Sequence, residues 1–239
     1  MRRREFLVAG STAALITTNI VPTTSISVVD QSEISGVNKL TPPTDGPIPV
    51  AFAISRGATM IDFAGPWEVF QDVMVRNGAG SRMGFNLYTV SEKTDPIVAS
   101  GGMKIIPDYV FETAPAPKVV VIPAQAGSPA LHAWLRKIVD STDVTMSVCT
   151  GAFQLGRAGL LSGKEATTHH DFFEQFAKAF PDVKLKRGLR FVENAKISTA
   201  GGLTSGIDLA LRIVERYFGR ETAERTAFYM EYQSKGWVV

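Results

Sequence analysis

The sequence contains one cysteine, Cys149, and three histidines in 239 residues. One cysteine cannot form a disulfide within the chain, which excludes a small secreted domain stabilised by cystines. The histidines show no metal-ligand spacing beyond one adjacent pair, so we expect no metal ion. The stability of the fold must therefore come from a hydrophobic core.

The chain also lacks a large excess of either positive or negative residues. The sequence has 25 Lys and Arg against 23 Asp and Glu, a formal net charge of +2, and the basic residues are scattered. This distribution excludes the concentrated basic surface that binds nucleic acid. With 45% hydrophobic residues, the chain is long enough for one well-buried domain, and we expect a small-molecule partner.

The apolar stretch near the start of the chain is too short, and too rich in Gly, Ser and Thr, to span a bilayer comfortably. The chain begins MRRREFLVAGSTAALITT, in which three arginines precede a short stretch of small apolar residues. This order is typical of an export signal of the twin-arginine class. We predict such a signal over residues 1–28, a periplasmic or otherwise exported protein, and no stable membrane insertion after processing. A basic N-terminus without targeting function and an uncleaved membrane anchor are the alternatives.

The rest of the chain has the pattern of an α/β domain. Residues 29–47 are polar, contain Pro42-Pro43, and are interpreted as a linker or arm. From residue 48 to 239, strand-like apolar segments alternate with amphipathic segments, which predicts one domain with a mostly parallel sheet. The expected strands are 49–55, 85–91, 118–123 and 144–148, with a hairpin over 189–200, and the expected helices are 66–77, 128–140, 172–180, 204–218 and 220–231.

The cysteine lies in VTMSVCTGAF (144–153), between an apolar strand and a segment that begins a helix. A side chain at such a turn projects above the sheet edge, and the N-terminus of the following helix favours a thiolate. Backbone N–H groups after the turn can hold a developing oxyanion, and Gly151 permits close packing of helix and strand. Cys149 is therefore a candidate nucleophile, and the alternative is a small buried apolar residue.

Several segments together resemble one family. SVCTGAFQLGRAGLLSGKEATTHH (147–170), TAGGLTSGIDLAL (199–211) and MEY (230–232) resemble the ThiJ/PfpI superfamily, which has the class I glutamine-amidotransferase-like fold. IDFAGPWEVF (61–70) is similar to a segment of isonitrile hydratases and of AraC-type regulators. The resemblance implies a flavodoxin-like three-layer sandwich with a mostly parallel sheet, a cysteine on a nucleophile elbow, and a homodimer.

The resemblance also assigns catalytic residues. Cys149 matches the family nucleophile, Thr150 the residue that follows it in isonitrile hydratases, and Asp62 the acid near the thiol in that subgroup. These matches imply a cysteine-dependent lyase that converts an isonitrile and water into an N-substituted formamide. The thiolate would attack the terminal carbon, the acid would protonate it, and water would resolve the thioimidate. A helix cap or turn is the alternative role for Asp62.

Three further residues are candidates for substrate binding. His169 matches a histidine near the cysteine in several superfamily members, and we favour a role at the pocket rim over that of a general base. Gln125 lies in VIPAQAG (121–127), where many relatives have Pro-Gly-Gly, so its backbone N–H either still points toward an oxyanion or contributes little. Gly151 belongs to the backbone just after the nucleophile.

Other activities are excluded or kept as alternatives. Thr150 replaces the histidine that follows cysteine in PfpI-type peptidases, which excludes a Cys-His protease dyad there. The Gly-rich stretches 78–84 and 201–206 lack the strand context or the lysine of nucleotide-binding motifs, so no cofactor is expected. The alternatives to the lyase are glyoxalase- or deglycase-like action on small reactive carbonyls, using Cys149 and His169, and a non-catalytic ligand-binding or redox-sensing domain.

Overall fold

A computed structural model describes residues 39–78 and 80–239. The predicted export signal, 1–28, and the first part of the predicted arm, 29–38, lie outside the described residues. No helix among the described residues is both long enough and apolar enough to cross a membrane. The N–H of Leu40 donates to the carbonyl of Arg216 (2.9 Å), so this end of the arm contacts the domain.

Strands and helices alternate along the described chain. In chain order the elements are β1 (Ile48–Ala53), α1 (Met60–Gln71), β2 (Met74–Asn77), β3 (Gly80–Met83), β4 (Phe85–Ser91), β5 (Ile97–Val98), β6 (Lys104–Ile105), β7 (Tyr109–Val110), β8 (Val119–Ile122), α2 (Pro129–Ile138), β9 (Val144–Val148), α3 (Ala152–Arg157), β10 (Glu165–Ala166), α4 (Phe173–Ala179), β11 (Lys184–Leu185), β12 (Phe191–Glu193), β13 (Ile197–Ala200), α5 (Ser205–Phe218) and α6 (Arg220–Tyr229).

A seven-stranded sheet forms the centre, in the order β12-β13-β9-β8-β1-β4-β7. All neighbouring pairs are parallel except β12 and β13, which form an antiparallel hairpin at one edge. The mostly parallel sheet predicted from the alternating pattern is therefore confirmed, as is the hairpin expected over 189–200. Because the strands between β13 and β4 run the same way, their carboxyl ends meet at one edge of the sheet.

Helices cover both faces of the sheet. Along β1, Val50 and Phe52 belong to the apolar cluster that includes residues of α1, α5 and α6, whereas Ala51 and Ala53 belong to the cluster that includes residues of α2, α3 and α4. This division follows from the alternation of side chains along a strand. The flavodoxin-like three-layer sandwich is confirmed.

Helix α1 begins and ends earlier than the sequence predicts. It was expected over 66–77, but it spans Met60–Gln71 and contains Pro66. The N–H groups at its start have acceptors in distant segments: Thr59 donates to the carbonyl of Ala124 (2.9 Å) and Met60 to the hydroxyl of Ser100 (2.9 Å). These tertiary bonds satisfy donors that a helix start otherwise leaves unpaired, and no local pattern reveals them.

The Gly-rich stretch 78–84 also differs from the expectation. It was expected to follow a helix, whereas it follows β2, which pairs antiparallel with β3. The stretch therefore belongs to a small hairpin that leads into β4, with no helix after it. A dinucleotide-binding motif needs a helix directly after the Gly-rich stretch, and strands follow it here. The sequence argued against the motif on a different ground, namely a helix expected before the stretch.

Gly151 determines how closely the turn at Cys149 approaches the sheet. A Cβ atom at this position would lie 2.2 Å from the carbonyl oxygen of Ile122 and 2.9 Å from that of Pro123. Both obstacles are backbone atoms at the end of β8, so neither can move aside without displacing the strand. The close packing of helix and strand expected for Gly151 is confirmed.

We expect Gly151→Ala to lower the free energy of unfolding by about 3 kcal/mol or more, because overpacking against backbone cannot be relieved by a rotamer change. The matched control is Gly46→Ala, at a left-handed glycine (φ 75°) with no atom within 4 Å of the added Cβ. The control should lose only about 1–2 kcal/mol, the conformational penalty. Denaturant unfolding measures both, and equal losses would contradict the packing explanation.

Candidate functional site

Cys149 occupies a strained corner between β9 and α3. Strand β9 ends at Val148, and residues 149–151 form a single 3₁₀ turn before α3 begins. The φ angle of Cys149 is 58°, a left-handed value that costs a non-glycine residue about 1–2 kcal/mol. Its N–H donates to the carbonyl of Gly201 (2.8 Å), and its carbonyl accepts from the hydroxyl of Thr168 (3.0 Å). These bonds hold the corner that the sequence predicts.

The thiol is buried and protonated at neutral pH. Cys149 is 7% exposed. Burial, together with the charge of Asp62, raises the pKa of the thiol to about 11, although the N–H groups of Thr150 and Leu203 and the Thr150 hydroxyl lower it. The expected shift toward thiolate is therefore wrong for the resting site, because desolvation outweighs the donors around the sulfur.

Asp62 is a fully buried acid beside this thiol. It is the third residue of α1, and its Oδ2 accepts a hydrogen bond from the N–H of Ala124 (3.0 Å). Its Oδ1 has no hydrogen-bond partner among the described residues. Burial raises the pKa of the carboxyl group to about 7, against the opposing effect of the Ala124 N–H. The bond to Ala124 crosses to another segment, so Asp62 does not cap α1.

The segment that carries Ala124 is held by side-chain amides. The amide of Gln125 donates to the carbonyl of Ala53 (2.9 Å) and accepts from the N–H of Ser55 (2.5 Å). The amide of Gln154 donates to the carbonyl of Gln125 (2.9 Å). The side chain of Gln125 thus ties the segment to the end of β1. Gln125 also lines a cavity of about 160 Å³ together with Thr150, and its role in substrate binding stays a prediction.

His169 lies on the wall of a larger cavity of about 630 Å³. Its Nδ1 accepts a hydrogen bond from the N–H of Asp171 (3.2 Å). The carboxylate of Asp171 lies farther away, at 3.7 Å from the same atom. The edge of the ring that carries Nε2 packs against Gly202. A rim position fits this geometry, and contact with substrate stays a prediction.

The structure brings Cys149, Asp62 and Thr150 together, and it sets the other candidates around them. His169 borders the larger cavity and Gln125 the smaller one. Gly151 packs against the backbone at the end of β8, so its part in substrate binding also stays a prediction.

Sequence reasoning missed several residues of the site. Gln154 is 1% exposed, and its Oε1 lies 2.9 Å from Nε2 of His132. Leu203 supplies an N–H to the sulfur from a left-handed conformation (φ 54°). The sequence shows a glutamine five residues after Cys149, but its burial and its contacts depend on segments that are distant in the chain. No local sequence pattern indicates that the backbone N–H of Leu203 lies near the sulfur.

His169, His170 and Asp171 each place one potential ligand atom within 4.8 Å of the others. The two imidazole rings stack with their centroids 4.3 Å apart and their planes 24° apart. Lone pairs lie in the ring planes, so near-parallel rings direct them side by side rather than toward one point. The three residues therefore fit a metal ion poorly, and we assign none to them.

The DJ-1/PfpI family profile matches residues 49–216, which is most of the described chain. The chain belongs to the DJ-1/PfpI family. Isonitrile hydratase of Pseudomonas putida is 29% identical over 192 residues, covering 77% of this chain and 78% of its own length. The HTH-type transcriptional regulator CdhR of Pseudomonas aeruginosa is 31% identical over 145 residues, covering 58% of this chain and 43% of the regulator.

Solved structures agree with this DJ-1/PfpI assignment. A ThiJ/PfpI family protein from Pseudomonas syringae superposes with a TM-score of 0.69 at 25% identity, covering 89% of this chain and 84% of that one. DJ-1beta of Drosophila melanogaster gives a TM-score of 0.68 at 18% identity, covering 79% of this chain and 100% of that one. The second likeness concerns the fold alone.

The raised pKa of Asp62 makes stability depend on pH. The folded protein binds this proton more tightly than the unfolded chain, whose carboxyl has the ordinary value of 3.8. The stabilisation is complete below that value and is lost as pH rises through about 7. We expect Asp62→Asn to gain about 4 kcal/mol relative to wild type between about pH 4 and pH 8.

Denaturant unfolding across this pH range measures the difference between the two proteins. The matched control is Asp45→Asn, which makes the same substitution at an exposed residue and should show no comparable pH-dependent gain. A constant difference between Asp62→Asn and wild type would mean that Asp62 does not take up a proton on folding.

Proposed function

We propose that Cys149 and Asp62 catalyse the hydration of an isonitrile to an N-substituted formamide. The observation that carries this proposal is a buried carboxyl group, with a pKa raised to about 7 and one oxygen without a partner, beside the chain's single thiol. Such a carboxyl is a proton donor near neutral pH. The resemblance to isonitrile hydratase of Pseudomonas putida supports the choice of substrate.

The first step joins sulfur and hydrogen to the terminal carbon. Asp62 donates its proton to that carbon, whose lone pair makes it basic, and the sulfur of Cys149 attacks the same carbon as it becomes electrophilic. The thiol proton passes to the carboxylate of Asp62, which has just lost its own proton to the carbon. The product is a thioimidate, R–N=CH–S–Cys149, and Asp62 is again protonated. The unpartnered Oδ1 can carry the proton without breaking the bond from Ala124.

The second step adds water and releases the enzyme. Water adds to the C=N bond, with its oxygen on carbon and a proton on nitrogen, which gives R–NH–CH(OH)–S–Cys149. Collapse breaks the C–S bond, the hydroxyl proton returns to sulfur, and R–NH–CHO leaves. Atoms balance as isonitrile plus water to formamide, and the thiol and the carboxyl group are both regenerated.

Thr150 and Leu203 assist the sulfur rather than the carbon. Their N–H groups and the Thr150 hydroxyl favour the ionised form of Cys149. Negative charge on sulfur develops when the thiol loses its proton and again when the C–S bond breaks. Fixed donors in a buried site stabilise such transient charge more than water does.

This mechanism predicts a loss of activity as pH rises. Because the first step needs protonated Asp62, kcat/KM should fall as pH increases through about 7. Initial rates of formamide formation from a small alkyl isonitrile measure the profile. An increase of kcat/KM across the same range would mean that the reacting form is the ionised pair, and it would contradict the acid role of Asp62.

Substitutions test the two residues directly. Cys149→Ser and Asp62→Asn should each reduce turnover of the isonitrile by at least about a thousandfold, since each removes a group that exchanges a proton or a bond with the substrate. Thr150→Val, which keeps the shape and removes the hydroxyl, should cost about tenfold. Chromatography of the formamide product measures all three, and circular dichroism shows whether each variant is folded. Turnover by folded Cys149→Ser close to wild type would end the lyase proposal.

A second candidate function is a ligand-binding domain without catalysis. The burial of Cys149 and its pKa of about 11 favour this candidate, because a reactive thiol is normally accessible and acidic. CdhR is named as a transcriptional regulator, which adds support. If folded wild type forms no formamide while an isonitrile or formamide raises its melting temperature, the binding function replaces the lyase.

Export and dimerisation remain separate proposals. The predicted twin-arginine-like signal can be tested by following the full chain in fractionated cells, with the arginines at positions 2–4 replaced by lysine. The predicted homodimer can be tested by sedimentation of the purified protein. Neither outcome changes the chemistry proposed for Cys149 and Asp62.

A further inference from the structure

The larger cavity of about 630 Å³ carries positive charge beside the thiol. We call it the arginine cavity; its walls include His169, His170, Phe173, Arg187, Arg190 and Leu203. Among the residues that line it in the described chain, two carry a guanidinium group and none carries a carboxylate. Its volume lies within the range of small-molecule sites.

The floor of the arginine cavity is made by residues that touch Cys149. Thr168 donates to the carbonyl of Cys149 and Gly201 accepts from its N–H. Leu203 directs its N–H at the sulfur. All three residues line the cavity. A molecule in this cavity therefore lies against three residues that contact Cys149 directly.

The two arginines differ in how their charge is balanced. Arg190 forms an ion pair with the carboxylate of Asp208, which is fully buried and also accepts from the hydroxyl of Tyr232 (3.1 Å). Removing Arg190 would leave a buried charge unpaired, so Arg190 has a structural role. The positive charge of Arg190 is already balanced by a carboxylate of the protein itself.

Arg187 has only a weak partner. It pairs with Glu174 at 2.7 Å, but the side chains are 50% and 86% exposed, and such surface pairs contribute little. The guanidinium of Arg187 also lies over the ring of Phe173, 5.2 Å from its centroid, which restricts the orientation of its planar donors. Arg187 can therefore exchange Glu174 for another carboxylate that enters the cavity.

We propose that the arginine cavity binds the carboxylate of a small substrate, with Arg187 as the anchor and the reacting group directed toward Cys149. A planar guanidinium donates two parallel hydrogen bonds to a carboxylate, which fixes the orientation of the ligand. The substrate class is then an isonitrile that carries a carboxylate on its organic group. This identification rests on the proposed function, whereas binding of the carboxylate itself does not.

Binding is tested on folded Cys149→Ala protein, so that no reaction intervenes. The probes are N-formyl derivatives of linear amino acids of increasing chain length, each compared with its methyl ester by titration calorimetry. We expect the carboxylate to bind more tightly than the ester at one preferred length. Arg187→Gln should weaken binding of the carboxylate by about tenfold to a hundredfold and leave binding of the ester unchanged.

Two further variants make the test specific. Glu174→Gln removes the competitor and should strengthen binding of the carboxylate. Arg157→Gln is the matched control, because Arg157 also lies over an aromatic ring, that of Phe153, but lines the smaller cavity. Equal binding of carboxylate and ester, or a preference that survives Arg187→Gln and disappears in Arg157→Gln, would overturn the proposal.

Turnover separates this inference from the proposed function. If the carboxylate preference depends on Arg187 but wild type converts no isonitrile, the cavity assignment stands and the lyase fails. If wild type converts carboxylated and esterified isonitriles with the same kcat/KM, the lyase stands and the cavity assignment fails.

Discussion

The parallel direction of neighbouring strands is the constraint on which the site depends. Strands β1, β8, β9 and β13 are neighbours or near neighbours in the sheet and run the same way. Each leaves its carboxyl end at the same edge, and each is followed by a segment that contributes to the site around Cys149 and Asp62. Asp62 follows β1, Ala124 follows β8, Cys149 follows β9 and Leu203 follows β13. Residues far apart in the chain converge because the sheet ends there.

The site stores unfavourable free energy at two positions. Cys149 is held at φ 58°, and Asp62 is buried with one oxygen unpartnered. Neither arrangement stabilises the fold, and both persist because surrounding bonds determine them: the bond from Cys149 to Gly201 for the corner, and the bond from Ala124 to Asp62 for the acid. Strain and buried polar groups of this kind concentrate at functional sites.

Local patterns sufficed for the parts of the fold that local physics controls. Strands 85–91 and 144–148 have the predicted bounds, and Ser128 caps α2 by accepting from the N–H of Leu131. The start of α1 was not predictable, since its donors are satisfied by Ala124 and Ser100. Whether a helix passes through a proline depends here on partners that are distant in sequence.

For the site, residue types were readable and energies were not. The sequence pointed to Cys149, Asp62 and Thr150, and the structure brings them together. It indicated the wrong sign for the shift in the pKa of the thiol, because that sign depends on how deeply the corner is buried and on the charge of Asp62. The clamp formed by Gln154 on the segment of Ala124 was invisible for the same reason: it exists only after the strand ends have met.

The protonation of the pair determines what kind of molecule the site can accept. With Asp62 and Cys149 both protonated below about pH 7, the reacting end of the site carries no net charge. An uncharged, poorly hydrated group, such as the isonitrile carbon of the proposed substrate, would enter it without the desolvation penalty that an ion would meet. The adjoining arginine cavity has the opposite character, because its charge is exposed to solvent at Arg187. A bifunctional molecule, neutral at one end and anionic at the other, matches both environments at once. The same division of the pocket would serve a sensor of such molecules, and in the proposed lyase the proton on Asp62 is what distinguishes catalysis from binding alone.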